Sequence, residues 1–191
     1  CPCFLAYSPG HPARKQSRGE AAFFLVFPHF MLLKAITEPK RQALGHLTFA
    51  KASTELIQPD IAFVVDCSPA NDIKGKQQLS GQLGEGTLIR IKDGTMILSP
   101  RFRDYLLELV DTFDIRSQYY ISPGGTDGGE IHKANKGVPT AVIGVCARYI
   151  HSTDAVFDIR DYYAARELLK QAVSHLTNEN ILTLQFQSEE K

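Results

Sequence analysis

The chain has 191 residues, and its 21 Lys and Arg balance its 21 Asp and Glu, so the formal net charge is zero. This length fits one domain, or one domain with an appendage. Balanced charge excludes the global field that attracts nucleic acid or an anionic membrane. Apolar stretches such as 21–27 are far too short to cross a bilayer, so no membrane partner is expected either.

The cysteines do not form the pattern of a disulfide framework. Cys1 and Cys3 flank a proline, whereas Cys67 and Cys146 lie inside apolar runs. A reducing, cytoplasmic location is therefore the default expectation. Because the neighbouring Asp66 would raise the pKa of its thiol, Cys67 is expected to be buried and inert.

Residues 1–50 differ in composition from the rest of the chain. Prolines recur there without a period, 13–19 is basic and polar, and 23–30 is rich in aromatic residues without helix or strand spacing. We interpret 1–50 as an atypical N-terminal segment whose first thirty residues are mobile or loosely packed. Residues 51–185 are then the folded part, and 186–191 are a tail.

From about residue 57 onward the sequence alternates between strand and helix patterns. The continuous apolar runs 61–65 and 138–145 predict adjacent strands that are buried on both faces. Residues 87–91 alternate in polarity and predict a strand, which turns back at 92–95 into 96–98. Residues 118–121 are a further, short strand candidate.

Helix patterns lie between and after these strands. Ser99 and Pro100 supply an N-cap and a first-turn proline for a helix through about residue 113. A glycine-rich loop at 124–129 leads into a helix through about 135. The last helix begins near Asp158, and its predicted buried face is Tyr162, Ala165, Leu168, Leu169, Ala172, Val173 and Leu176. These elements predict an α/β fold with a mostly parallel central sheet and helices on both faces.

Polar residues follow the two buried strands, where the functional crevice of an open α/β sheet lies. Asp66 comes directly after the first strand, and His151 comes six residues after Val145. The pair could share a hydrolytic metal site, although a loop-capping Asp and an ordinary surface or core His explain the spacing more simply. The glycine-rich loop could hold an anion, or could be a plain turn capped by Thr126 or Asp127.

Five sequence blocks occur in the same order in one known family. They are 59–70, 83–87, 124–129 with His132, 137–139, and 148–152 with the residues Arg-Tyr-Ile-His-Ser. Over about 52–182 the chain resembles the glutamyl aminopeptidases, the cellulase M-like dinuclear-metal aminopeptidases of bacteria and archaea. The resemblance implies a zinc-exopeptidase-like α/β domain, of which this chain is the C-terminal part and which is incomplete on its N-terminal side.

The resemblance also implies an activity and a set of site residues. In the family, two metal ions, zinc or cobalt, activate a water that releases N-terminal residues from a peptide substrate. Asp66 matches a ligand of one metal, and His151 matches a ligand of the other. The positions implied to approach the substrate are Gly124, Gly125, Thr126, Asp127 and Arg148. A homo-oligomer is implied as well.

The chain also departs from the family pattern. The Glu-Glu pair that supplies the general base and a metal ligand aligns with 42–45, which read Gln-Ala-Leu-Gly, so no catalytic residue is assigned. The first metal-binding His and the bridging Asp have no counterpart, as a truncated or frame-shifted gene would produce. One hypothesis is a peptidase part that needs the other half of its site. The alternative is an inactive remnant or assembly partner, because one ligand per metal gives no catalytic centre.

Overall fold

The computed structural model describes residues 3–7, 24–26, 46–73 and 79–185. The strands are β1 Cys3–Tyr7, β2 Phe24–Val26, β3 Ile61–Pro69, β4 Thr87–Lys92, β5 Ser117–Ile121, β6 Thr140–Arg148 and β7 Val156–Phe157. The helices are α1 His46–Ile57, α2 Pro100–Thr112, α3 Asp127–Lys133, α4 Ile159–Ser174 and α5 Asn178–Leu184. In this part of the chain, no helix is both long enough and apolar enough to cross a membrane.

The described strands form one mixed sheet in the order β2-β1-β3-β6-β4-β5, with β7 paired to the end of β6. β3 and β6 are parallel neighbours, in register from Ala62 with Thr140 to Pro69 with Ala147. β4 and β5 are also parallel, while β4 runs antiparallel to β6. The α/β prediction is confirmed, and so is the prediction that the two long apolar runs are adjacent strands.

Helices cover both faces of this sheet. Successive residues of a strand point to opposite faces, so neighbouring residues of β3 pack against different helices. Phe63 of β3 packs with α2, α4 and α5 on one face. Val64 packs with α1 and α3 on the other face. Both side chains are almost completely buried, as a doubly covered strand requires.

Local capping explains where the helices begin. The Ser99 hydroxyl accepts a hydrogen bond from the backbone N–H of Phe102, and Pro100 occupies the first turn of α2, as predicted. Asp158 caps α4 by accepting from the N–H of Arg160. Thr126 is the N-cap residue of α3, but its side chain makes no capping bond there.

Some sequence predictions differ from the structure. The helical spacing predicts Tyr162 on the buried face of the last helix, but it lies on the exposed side of α4. Cys67 was expected to be buried and is exposed. The predictions for the N-terminal segment and the tail fall mostly outside the described residues; within them, β1 pairs antiparallel with both β2 and β3.

A buried carboxylate fastens the turn before β4 to helix α4. Asp161 accepts 2.8 Å hydrogen bonds from the backbone N–H groups of Gly84 and Gly86. Gly86 has φ +94°, and a Cβ there would lie against the backbone of Arg116. Only glycine therefore fits this position, and the turn fixes where the chain enters β4.

Candidate functional site

Asp66 lies where the apolar part of β3 ends, in register with Gly144 of β6. Its side chain is on the same face of the sheet as that of Val64, since the two residues are two apart in a strand. The side chain is 18% exposed, and its Oδ2 lies 3.7 Å from Nη2 of Arg90. The carboxylate therefore lies at the boundary between the core and solvent, with the Arg90 guanidinium on its buried side.

Arg90 is the centre of this polar cluster and is itself only 2% exposed. Its Nη2 donates a 2.7 Å hydrogen bond to Ser68 Oγ, and its Nη1 donates to Asp93 Oδ2 at 3.3 Å. Its guanidinium carbon lies 5.6 Å from the centre of the Tyr120 ring, within cation–π range. One guanidinium thus holds groups from β3, β4 and β5 together.

Glycine at position 144 makes room for this contact across β6. A Cβ at Gly144 would lie 2.9 Å from the Cβ of Leu88 and 3.1 Å from Ser68 Oγ. The first distance is shorter than real Cβ contacts, so any side chain would push β4 or β3 away. The missing side chain lets Arg90 on β4 reach Ser68 on β3, two strands away.

Asp93 connects Arg90 with the glycine-rich loop. Its Oδ1 accepts hydrogen bonds from the backbone N–H and the hydroxyl of Thr95, both at 2.7 Å, and from the N–H of Met96 at 2.9 Å. Thr126 donates to Oδ2 at 3.4 Å. These bonds close the turn after β4 and place the loop 124–129 beside the cluster.

Close packing explains two glycines of that loop. A Cβ on Gly125 or Gly129 would overlap the side chain of Thr95. In contrast, Gly124 has no neighbour within 4 Å of the position of a Cβ. The loop therefore sits on the hairpin turn at two points and leaves Gly124 open.

The surroundings of Asp66 act on its pKa in opposite directions. Burial raises the pKa of this carboxyl, and the charge of Arg90, a hydrogen bond from the Cys67 backbone and the charge of His151 lower it. Burial is the larger effect, so the pKa lies above its usual value. Partial loss of water around the sulfur, with Asp66 adding to it, also raises the pKa of the Cys67 thiol.

His151 occupies an exposed turn after β6, with a left-handed φ of +63°. Among the causes that act on the pKa of Asp66, the charge of His151 is the smallest, so a shared site of the two predicted metal ligands stays a prediction. Across residues 46–73 and 79–185, however, no three His, Cys, Asp or Glu side chains cluster as metal ligands. The described residues therefore do not fit a complete metal centre, which ordinarily takes about three protein ligands.

Arg148, implied to approach the substrate, is engaged by another residue of the chain. Its Nε and Nη2 donate to the two carboxylate oxygens of Asp72 at 2.9 and 3.0 Å. Asp72 also accepts from the N–H of Leu83, and Arg148 holds the pKa of Asp72 below its usual value. Asp72 thus joins the end of β6 to the turn at Leu83, and the substrate role of Arg148 stays a prediction.

Arg90, Asp93 and Ser68 are not among the site residues predicted from the sequence, although they are the best-connected polar residues near Asp66. A usable signal was present in β4, where a charged residue interrupts the apolar Thr-Leu-Ile-Arg-Ile at an inward position. Ser68 lies two residues after Asp66, on the same face of the strand. His132, which belongs to the glycine-rich block of the resemblance, lies with its Nδ1 3.2 Å from the carbonyl oxygen of Val138.

The curated relatives that are most similar over this fold include several aminopeptidases. Residues 46–168 match the family model described as M42 glutamyl aminopeptidase. The glutamyl aminopeptidase of Lactococcus lactis is 42% identical over 132 residues, which are 69% of this chain and 37% of that protein. This chain belongs to the M42 glutamyl aminopeptidase family.

Solved structures agree with this assignment. An aminopeptidase from the archaeon Desulfurococcus kamchatkensis is 32% identical, with a TM-score of 0.70 over 76% of this chain and 42% of that one. A TET aminopeptidase from a marine-sediment thaumarchaeon is 27% identical, with a TM-score of 0.69 over 73% of this chain and 40% of that one. The chain thus spans about two-fifths of the length of these relatives.

Proposed function

We propose that this chain is part of a metal-dependent aminopeptidase, which removes N-terminal residues from peptides, and that it carries the ligand positions Asp66 and His151. The observation that supports this most is the position of Asp66. It lies in the C-terminal half of the central strand β3, in register with Gly144 of β6. The family resemblance adds two divalent ions, zinc or cobalt, and a homo-oligomeric assembly to the proposal, and the cysteine pattern adds a cytoplasmic location.

The substrate side of the proposal rests on the glycine-rich loop. Gly124 is open to solvent on its Cβ side, while Gly125 and Thr126 are held through Thr95 and Asp93. A peptide backbone can approach a glycine more closely than any other residue. Gly124, Gly125, Thr126 and Asp127 are therefore proposed to form a wall beside the substrate.

A second candidate, an inactive remnant or assembly partner, is favoured by one specific observation. Asp66 already has a buried cation beside it, because Arg90 lies 3.7 Å from its carboxylate. The described residues offer no third ligand near Asp66 and His151. A chain that balances the charge of Asp66 internally can keep the scaffold without metal and without catalysis.

An assay with and without the missing half distinguishes the two candidates. The purified chain is incubated with cobalt, alone or with the upstream part of the Lactococcus relative, and release of N-terminal Glu, Asp and Leu from chromogenic peptides is measured. We expect no activity from the chain alone and activity in the mixture. Asp66→Ala and His151→Ala should abolish that activity, whereas the exposed controls Asp111→Ala and His175→Ala should retain it.

Metal content gives a readout that does not depend on turnover. After equilibrium dialysis against cobalt, the isolated chain should hold at most one weakly bound ion. Two equivalents per chain, lost in Asp66→Ala, would exclude the remnant. If the mixture is inactive and also binds no metal, the proposed peptidase function is wrong and the chain is related to the family by descent only.

A further inference from the structure

Helix α4 has a second apolar face that nothing in the described part of the chain covers. One face of the helix is buried against the sheet through Ala165, Leu168 and Ala172. On another side of its first turns lie Ile159, Tyr162 and Tyr163. Their exposed fractions are 52%, 45% and 55%. Residues at i, i+3 and i+4 are neighbours on a helix surface, so these three form one stripe.

The stripe continues into the strand that leads to α4. Val156 and Phe157 of β7 are each 50% exposed. We call these two residues, together with Ile159, Tyr162 and Tyr163, the α4 patch. Single exposed apolar residues are normal on a protein surface, but five of them within eight consecutive residues are not.

Two features hold the side chains and backbone of the α4 patch in a fixed arrangement. The rings of Tyr162 and Tyr163 meet edge to face with centroids 5.6 Å apart. β7 is held to the end of β6 by pairing of Phe157 with Ala147. A preformed aromatic surface loses little conformational entropy on binding, and aromatic residues are enriched in the centres of interfaces.

The charges at the patch favour a second copy of the chain over a charged partner. Asp158 and Arg160, which interrupt the patch in sequence, form a closed ion pair with a 2.6 Å contact. This pair adds no net charge, so it offers no complement to an acidic or basic partner. The whole chain also has no net charge, and two copies would not repel each other.

The size of the patch fits this occupant as well. Five half-exposed large side chains present on the order of 500 Å² of apolar surface, taking about 100 Å² for each. A standard interface buries about 800 Å² per partner, of which somewhat more than half is apolar. The patch thus matches the apolar part of one side of an ordinary dimer interface.

We infer that two copies of this chain associate through the α4 patch, each placing the same surface against the other. This inference rests on the homo-oligomer of the proposed function and assigns a surface to it. A two-fold pair is the simplest arrangement in which one patch covers its equivalent.

The test is self-association of the full chain, measured by sedimentation velocity over a range of micromolar concentrations. Tyr163→Glu places a charge in the patch at an exposed site, and the matched control is Leu182→Glu on α5, whose side chain is 63% exposed. We expect Tyr163→Glu to weaken association at least about tenfold, as loss of an interface centre does, and the control to leave it unchanged. Circular dichroism of both variants verifies that they are folded.

The possible outcomes separate the two claims. If the unmodified chain is monomeric throughout, both the homo-oligomer and the α4 patch are wrong. If it associates and Tyr163→Glu associates equally well, only the assigned surface is wrong. Ile159→Glu provides a second test at the start of the stripe and should act as Tyr163→Glu does.

Discussion

At the scale of single residues, Arg90 sets the charge balance of the candidate site. It is the cation that faces two carboxylates, those of Asp66 and Asp93, in a place with little water. The Asp93 carboxylate has further donors from Thr95, Met96 and Thr126, whereas the described contacts of Asp66 are the Arg90 ion pair and a bond from the Cys67 backbone. Asp66 consequently depends on Arg90 more than Asp93 does.

Replacing Arg90 by methionine should be strongly destabilising. The variant leaves the buried Asp93 carboxylate and Ser68 without their cation and donor, and breaking one side of a buried ion pair costs about 3–5 kcal/mol. Urea unfolding of both proteins measures the difference. Arg103→Met is the matched control, since the Arg103–Asp104 pair is exposed and worth about 1 kcal/mol or less.

Lysine at position 90 sharpens the same experiment. It keeps the positive charge but not the two separate Nη groups that reach Ser68 and Asp93. We expect only partial recovery of stability. Full recovery by Arg90→Lys would show that charge alone matters, and a loss as small as that of the Arg103 control would contradict the network described above.

At the scale of elements, the start of α4 gives a pH-dependent prediction. Hydrogen bonds from the side chain and the backbone N–H of Arg160 lower the pKa of Asp158 from 3.8 to about 2. A carboxyl whose pKa is lowered by folding stabilises the folded state above its unfolded value. That contribution is lost as the pH falls from about 3.8 to about 2.

Asp158→Asn isolates this charge, because asparagine is an equally good N-cap residue. The variant should unfold at a lower temperature than the unmodified chain at pH 7. The gap should close as the pH is lowered through the window between 3.8 and about 2. Thermal unfolding at several pH values checks this, and a gap that is constant with pH would assign the effect to packing.

Elements with a strong local pattern could be predicted from the sequence, and others could not. Runs without polar residues have only one stable placement, in the middle of a covered sheet, so β3 and β6 were predicted correctly. Tyr162 follows the helical period but lies at the margin of the buried face, where spacing does not say which side is covered. Helix α5 has only seven residues, too few for a clear period, and Asn180 stands in its capping box where Glu or Gln is usual.

At the scale of the whole molecule, the candidate site could be predicted only in part. The sequence predicts Asp66 directly after a strand that ends at residue 65, whereas β3 continues to Pro69 and Asp66 lies inside it. The contact of Arg90 with Ser68 depends on the neighbours of β6, and a sequence does not state strand order. The space left by the missing side chain of Gly144 admits the Arg90–Ser68 contact only because β3 and β4 lie on either side of β6.

The same sheet joins the two apolar cores, and this predicts a single cooperative unfolding transition. Phe102 of α2 is fully buried and meets Phe63 of β3 edge to face at 5.2 Å, while the next residue of β3, Val64, belongs to the core on the other face. Phe102→Ala should cost about 3–5 kcal/mol. Because β3 serves both cores, the loss should lower the stability of both faces together.

Two probes measure this in one denaturant titration. Far-UV circular dichroism follows the helices, and tyrosine fluorescence follows the packing around residues such as Tyr120, since the chain contains no Trp. Both curves should shift to the same lower midpoint with an unchanged slope. Phe113→Ala, at a partly exposed position beside His175, is the matched control and should cost about 1 kcal/mol or less. Separate midpoints for the two probes in Phe102→Ala would show that the two faces unfold independently and that the sheet does not couple them.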